Sequence, residues 1–172
     1  MHGHIKSILF ATNLSEGCKS AFDFAASLAI RYQATIVLLH VTEKIPGYVE
    51  SQLKGMFGEQ EFKRISESHE DSVREVLIAK KSSNKLIRAA LEQFCTEAGI
   101  DDESCGYHSR EVVVSHGEVV DEIISQSKKF ACDIIILAGR KGLLKTRAIG
   151  SVTKEVLRRT DIPVLVVPPE SN

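Results

Sequence analysis

The chain has 172 residues, 43% of them hydrophobic and 26% charged, enough for one packed core and too apolar for a disordered segment. Lys and Arg number 22 against 23 Asp and Glu, for a net charge of -1, which excludes a strongly basic nucleic-acid footprint over the whole chain, and with no Trp and 6% aromatics base-stacking platforms are scarce. No apolar run approaches the ~20 residues that span a bilayer, and the apolar stretch between Lys6 and Asn13 is too short for a secretory signal, so we expect a cytoplasmic protein with neither membrane nor nucleic-acid partners.

The predicted elements alternate. Ser7-Ile8-Leu9-Phe10-Ala11 reads as a first strand. Asn13-Leu14-Ser15-Glu16-Gly17 carries turn and helix-capping chemistry. Cys18, Ala21, Phe22, Ala25, Leu28 and Ala29 are spaced by threes and fours, which lines them along one helix face. Thr35 to Val41 is a near-continuous, β-branched apolar run, the pattern of a strand covered on both sides.

From about residue 44 to 80 the pattern weakens. Pro46, Gly47, Gly55 and Gly58 interrupt it, and Glu59 to Glu75 is dense in both signs of charge, with Glu59/Lys63 and Glu70/Arg74 at i,i+4 spacing. We read this stretch as a long, mobile excursion containing a solvated helix. Leu86, Ile87, Ala90, Leu91, Phe94, Cys95 and Ala98 restore an apolar helix stripe, and Gly99 stands at the position of a C-terminal cap.

Glu111 to Ser115 is a third strand, ended by Gly117; Val119, Val120, Ile123, Ile124 and Ser127 follow on a helix. Asp133 to Ala138 is a fourth strand. Gly139 to Gly150 is a glycine-bounded loop with Arg140, Lys141, Lys145 and Arg147 and no acid. Val152, Val156 and Leu157 mark a last helix, and Pro163 to Val167 a fifth strand, stopped by Pro168-Pro169. Strand–helix alternation of this kind predicts a single α/β domain over residues 1–172, its strands parallel and joined by right-handed crossovers.

The four cysteines, Cys18, Cys95, Cys105 and Cys132, form no C-x-x-C pair. The first, second and fourth sit among apolar residues and read as buried reduced thiols. Cys105 lies in a polar stretch. His2 and His4 read as solvated terminal side chains, His40 and His116 as strand-end residues, His69 and His108 as surface.

In an open α/β sheet, ligands bind beyond the carboxyl ends of the strands where the strand order reverses. Two segments qualify: Ala11-Thr12-Asn13, and Gly139-Arg140-Lys141-Gly142 continuing to Gly150-Ser151-Val152. Glycines let backbone N–H groups approach an anion, a helix start leaves such groups unpaired, and four cations lie between. Together they suggest a phosphate site. The alternative reading of the same residues is a tight turn and a solvated loop.

These stretches carry a resemblance. Gly139-x-x-Gly142, Gly150-Ser151 and Ile162-Pro163-Val164-Leu165-Val166-Val167-Pro168 look like the C-terminal signature of the universal stress protein family. Ile8 to Glu16, Leu39-His40-Val41 and His116-Gly117-Glu118-Val119 to Ile123 resemble its other elements. The resemblance implies a Rossmann-like, five-stranded parallel sheet of order 3-2-1-4-5 with helices on both faces. It implies a regulatory role in stress response and, as in some members, ATP binding, with Mg as its companion, between strands one and four. Carried over by position, it sets the adenosine near Ala11, Asn13 and Val41, and the phosphates on Gly139, Gly142, Gly150, Ser151 and Val152; Thr12 and Arg140, from the same two segments, complete the candidate ligand-binding set. It also implies a homodimer made by antiparallel pairing of the Pro163–Val167 edge strand, with a regulatory protein as a further partner.

Two positions depart from the family pattern. Asn13 stands where an acid is usual and keeps only hydrogen-bonding capacity. The loop Leu143–Ile149 is shorter by two residues, up to ~7 Å of contour. A pyrophosphatase-type Ser-Gly-Gly loop, a Walker motif and a hydrolytic triad are all missing, so no catalytic residue is named; slow ATP hydrolysis or autophosphorylation is the most the resemblance implies. The rival expectation is a dimeric interaction protein on the same fold that binds no ATP.

Overall fold

The computed structural model describes residues 4–15, 17–42, 46–67, 80–100, 110–141 and 147–169. His2, His69, Cys105, His108, Gly142, Lys145 and the Glu70/Arg74 pair lie outside them.

Seven strands and six helices are described: β1 (Ser7–Ala11), α1 (Cys18–Tyr32), β2 (Thr35–Thr42), α2 (Pro46–Phe57), α3 (Glu59–Glu67), α4 (Lys80–Glu97), β3 (Arg110–His116), α5 (Val119–Lys129), β4 (Ile134–Ala138), β5 (Arg140–Lys141), β6 (Arg147–Ala148), α6 (Ser151–Arg159) and β7 (Val164–Val167). Five strands form one sheet in the order β3-β2-β1-β4-β7, every neighbouring pair parallel. Counted along the main sheet this is 3-2-1-4-5, as the resemblance implied.

Alternation along each strand divides the core. Ile8, Phe10, Ile36, Leu38, Val112 and Ile136 point to one face and pack with residues of α1, α2 and α4. Leu9, Val37, Leu39, Ile135 and Leu137 point to the other, with Val120 and Ile123 of α5 and Val156 of α6. Both faces are covered, which is why these strands are apolar throughout rather than alternating with polar residues. At the amino end of the sheet, Asp133 fixes the β1–β4 register: its carboxylate accepts from the backbone N–H of Lys6 (2.7 Å) and Ser7 (3.1 Å).

Glu59–Glu67 is the charged helix expected in the excursion, but the stretch from 46 to 57 differs from expectation. Pro46 begins α2, where a missing N–H costs nothing and the fixed φ suits the first helical turn. Leu53 and Met56 are buried in the main cluster. Gly58, at φ +80°, makes the turn into α3. Phe57 meets Phe94 of α4 at 5.2 Å between ring centroids, Phe94 meets Phe22 of α1 at 5.5 Å, and Phe22 meets Phe10 of β1 at 5.2 Å. This described part of the excursion is therefore tied to the sheet through a chain of four rings. Cys18, Cys95 and Cys132 are buried and take part in no disulfide, as their apolar neighbours predicted.

Candidate functional site

β1 and β4 are adjacent, with Ala11 opposite Leu137. The chain crosses from β1 towards β2 on one side and reaches β4 on the other, so their carboxyl ends form the reversal point of the sheet. The candidate residues Ala11, Thr12 and Asn13 lie at the end of β1 and just beyond it, Val41 lies near the end of β2, Gly139 and Arg140 follow β4, and Gly150, Ser151 and Val152 begin α6. Ala11, Val41 and Val152 are half-buried against the α5–α6 side of the core.

The β1 loop is held by its own side chains. Thr12 is buried; its N–H donates to Leu39 O at 2.9 Å, and its hydroxyl oxygen accepts from Leu14 N–H at 3.0 Å. Leu14 sits at φ 60° and is fully buried, so burying its side chain offsets the ~1–2 kcal/mol that a left-handed non-glycine residue costs. Asn13 Oδ1 accepts from Ser15 N–H and from the Cys18 thiol, both at 3.1 Å. Its acceptor is thus committed to the turn, an Asx-type closure.

His40 braces the same loop from β2. It is buried, and its Nδ1 lies 2.9 Å from Thr12 O. Because a carbonyl only accepts, Nδ1 carries the proton and donates. Burial holds the imidazole below its ordinary pKa of 6.5; the Thr12 bond opposes that shift and His116 adds to it. A buried neutral histidine therefore sets where the Thr12 carbonyl points.

Gly139 has a packing reason of its own. Its N–H donates to Val167 O at 2.7 Å, and a Cβ there would stand 3.1 Å from that oxygen and 3.2 Å from Pro169 Cδ. The chain at Val167–Pro169 would have to give by a few tenths of an ångström to admit a side chain. Beyond it, Arg140 pairs with Ala148 and Lys141 with Arg147 in an antiparallel two-stranded ribbon. The basic loop is therefore closed at its base into a hairpin, which sequence pattern did not reveal, because two-residue strands carry no periodicity.

The hairpin leads into α6. Gly150 is its N-cap, in extended conformation, with no side-chain capping bond, so the first N–H groups of the helix have no cap from that residue and present the positive end of its dipole. Ser151 is exposed and Val152 half-buried beside them. The β1 loop follows β1, and the basic ribbon and the start of α6 follow its neighbour β4, so all three lie beyond the carboxyl ends of adjacent strands; that arrangement suits an anion. Among the described residues, no group of three or more His, Cys, Asp and Glu is arranged to hold a metal, and no helix is long and apolar enough to cross a membrane.

Comparison with known proteins shows the family and the fold. The model of the universal stress protein family matches residues 4–168. A universal stress protein of Methanocaldococcus jannaschii is 25% identical over 163 residues, 94% of each chain. Among solved structures, a universal stress protein in complex with cAMP superposes with a TM-score of 0.60 at 19% identity, covering 96% of this chain and 98% of that one. The Archaeoglobus fulgidus universal stress protein in complex with dAMP gives 0.57 at 13% identity, covering 95% and 98%. The match runs from the first strand through the glycine-bounded hairpin to the last strand: the chain belongs to the universal stress protein family.

Proposed function

We propose that this protein is a nucleotide-responsive regulatory module that takes an adenine nucleotide, ATP among the candidates, across the carboxyl ends of β1 and β4. The observation that carries the reading is the start of α6. Gly150 gives no capping side chain, and the helix opens directly behind a hairpin rich in Arg and Lys. Unpaired amides and a helix dipole stabilise a phosphate by about 0.3–1 kcal/mol at an exposed terminus, and by more when partly buried. The two relatives solved with cAMP and with dAMP support the reading, since both ligands carry an adenine base and a phosphate.

In this reading Ala11, Thr12, Asn13 and Val41 face the nucleoside, and Gly139, Arg140, Gly142, Gly150, Ser151 and Val152 take the phosphates. Mg would arrive on a triphosphate rather than in a protein cage. The nucleotide bridges the β1 loop and the start of α6, and its presence is passed to a partner, with a second copy of the chain joined through the β7 edge. Calorimetry with Mg-ATP, AMP and inorganic phosphate tests this. Ser151→Glu favours the helix start but sets a carboxylate among the phosphate-facing amides. We expect nucleotide binding at least about tenfold weaker in this variant, with the melting temperature unchanged or raised.

A second reading is an interaction protein on the same fold that binds no nucleotide. It is favoured by Gly139, whose missing side chain is accounted for by the close packing of Val167 to Pro169. In that case every ligand is silent at millimolar concentration.

A further inference from the structure

Four buried side-chain polar atoms among the described residues have no hydrogen-bond partner: Thr42 Oγ1, Asn84 Oδ1, Ser115 Oγ and Gln126 Oε1. Native proteins pair such atoms, and leaving one unpaired costs about 1–3 kcal/mol. Thr42 and Asn84 belong to the α4 side of the sheet: Thr42 is opposite His116, and the Asn84 amide donates to His116 Nε2 at 3.0 Å. Gln126 lies within α5, and its amide donates to Glu122 one turn back. Ser115 is different. It stands near the carboxyl end of β3, directly opposite Val41. Two residues after Val113, it shares that residue's face, which is the α5–α6 face that also receives Val41, Ala11 and Val152.

The strand ends on this face therefore form a row. It begins at the end of β4 beside the start of α6, passes over Ala11 on β1, which is opposite Leu39 and so two residues short of Val41, and runs past Val41 on β2 to Ser115 on β3. Three strand spacings make it about 14 Å long, a span suited to a mononucleotide laid flat with its phosphate at Gly150. The far end of such a ligand is the polar edge of its base. Ser115 is itself half-buried, and a turn about χ1 re-aims its hydroxyl.

We propose that Ser115 reads the base: its Oγ accepts a hydrogen bond from the exocyclic amino group of adenine, while the ring rests on Val41. This rests on the nucleotide reading above and adds to it a specificity residue on the outermost strand. A hydroxyl left unpaired without ligand gains a partner only when the amino group arrives. A base lacking that group leaves the hydroxyl as it was.

The test compares AMP with purine riboside 5′-monophosphate, which differs only by the missing amino group, by calorimetry on the full chain. Wild type is expected to prefer AMP by about three- to tenfold, the worth of one neutral hydrogen bond. Ser115→Ala is expected to abolish that preference by weakening AMP alone, and Ser115→Thr to retain it. Thermal melting checks the fold, since deleting an unpaired hydroxyl is expected to leave stability unchanged or higher. An alanine variant that keeps the preference, or that weakens both ligands equally, overturns the assignment while leaving the nucleotide reading intact. Wild type that binds neither ligand overturns both.

Discussion

Residues that line a crevice are held by residues that do not. Thr12 takes part in three bonds, through its N–H, hydroxyl and carbonyl, and the last of these depends on His40. This gives the loop a pH dependence whose sign can be worked out. The folded state holds His40 below its ordinary pKa of 6.5, so below that pH the unfolded chain binds more protons than the folded one. Stability is then full above pH 6.5 and falls as the pH drops towards the folded pKa. Melting curves from neutral to mildly acidic pH should show this decline. His40→Leu should flatten it, starting from a lower melting temperature because the Thr12 carbonyl loses its donor. A wild-type curve that is flat through this range would remove His40 from the account. The sequence exposed little of this network. His40 sits in an apolar run and marks itself as a buried polar residue, but its partner, 28 residues earlier, is set by strand pairing alone. Leu14 likewise looked like an ordinary turn residue; its left-handed backbone is tolerated only because the core accepts its side chain.

At the scale of elements, the strands were the most legible part. Their doubly apolar runs follow directly from burial on both faces, and Thr35–Val41 was read within one residue of the observed β2. α2 was missed. Leu53, Met56 and Phe57 have helical spacing, but Pro46 and Gly55 read as breakers, although Pro46 is a helix-opening residue and Gly55 is exposed within the helix. Only tertiary packing resolves that ambiguity. The packing has a measurable centre: Phe94 is buried and its ring meets both Phe57 and Phe22. Phe94→Ala should cost about 3–5 kcal/mol in urea unfolding, with α2 and α3 losing amide protection before the sheet. A loss below about 1 kcal/mol would mean that the helical excursion is not anchored there.

For the whole molecule, strand–helix alternation indicated the class, and the family resemblance supplied the strand order that the structure bears out. The candidate site was legible as two loops, because glycines, cations and a helix start are visible in sequence. Its support was not, since His40, the β5–β6 ribbon and Ser115 find their places only in three dimensions. Among the described residues β7 has a single neighbour in the sheet, β4, and its four residues are half-buried. An apolar strand at a sheet edge invites pairing, and a C2 contact lets the patch meet itself. Light scattering at micromolar concentration should give twice the 19.0 kDa chain mass. Leu165→Lys, which sets a charge in the middle of this strand, should yield monomer; a wild-type monomer would refute the edge-strand dimer.

In the proposed mode of binding, the ends of β1 and β4 and the start of α6 receive one anionic ligand together. Amide chemical shifts of the full chain titrated with AMP test it most directly. We predict that Ala11 to Asn13, Gly139, and Gly150 to Val152 shift along a single saturating curve. Saturation at any other surface with these amides unmoved, or no shift anywhere at millimolar AMP, would contradict it.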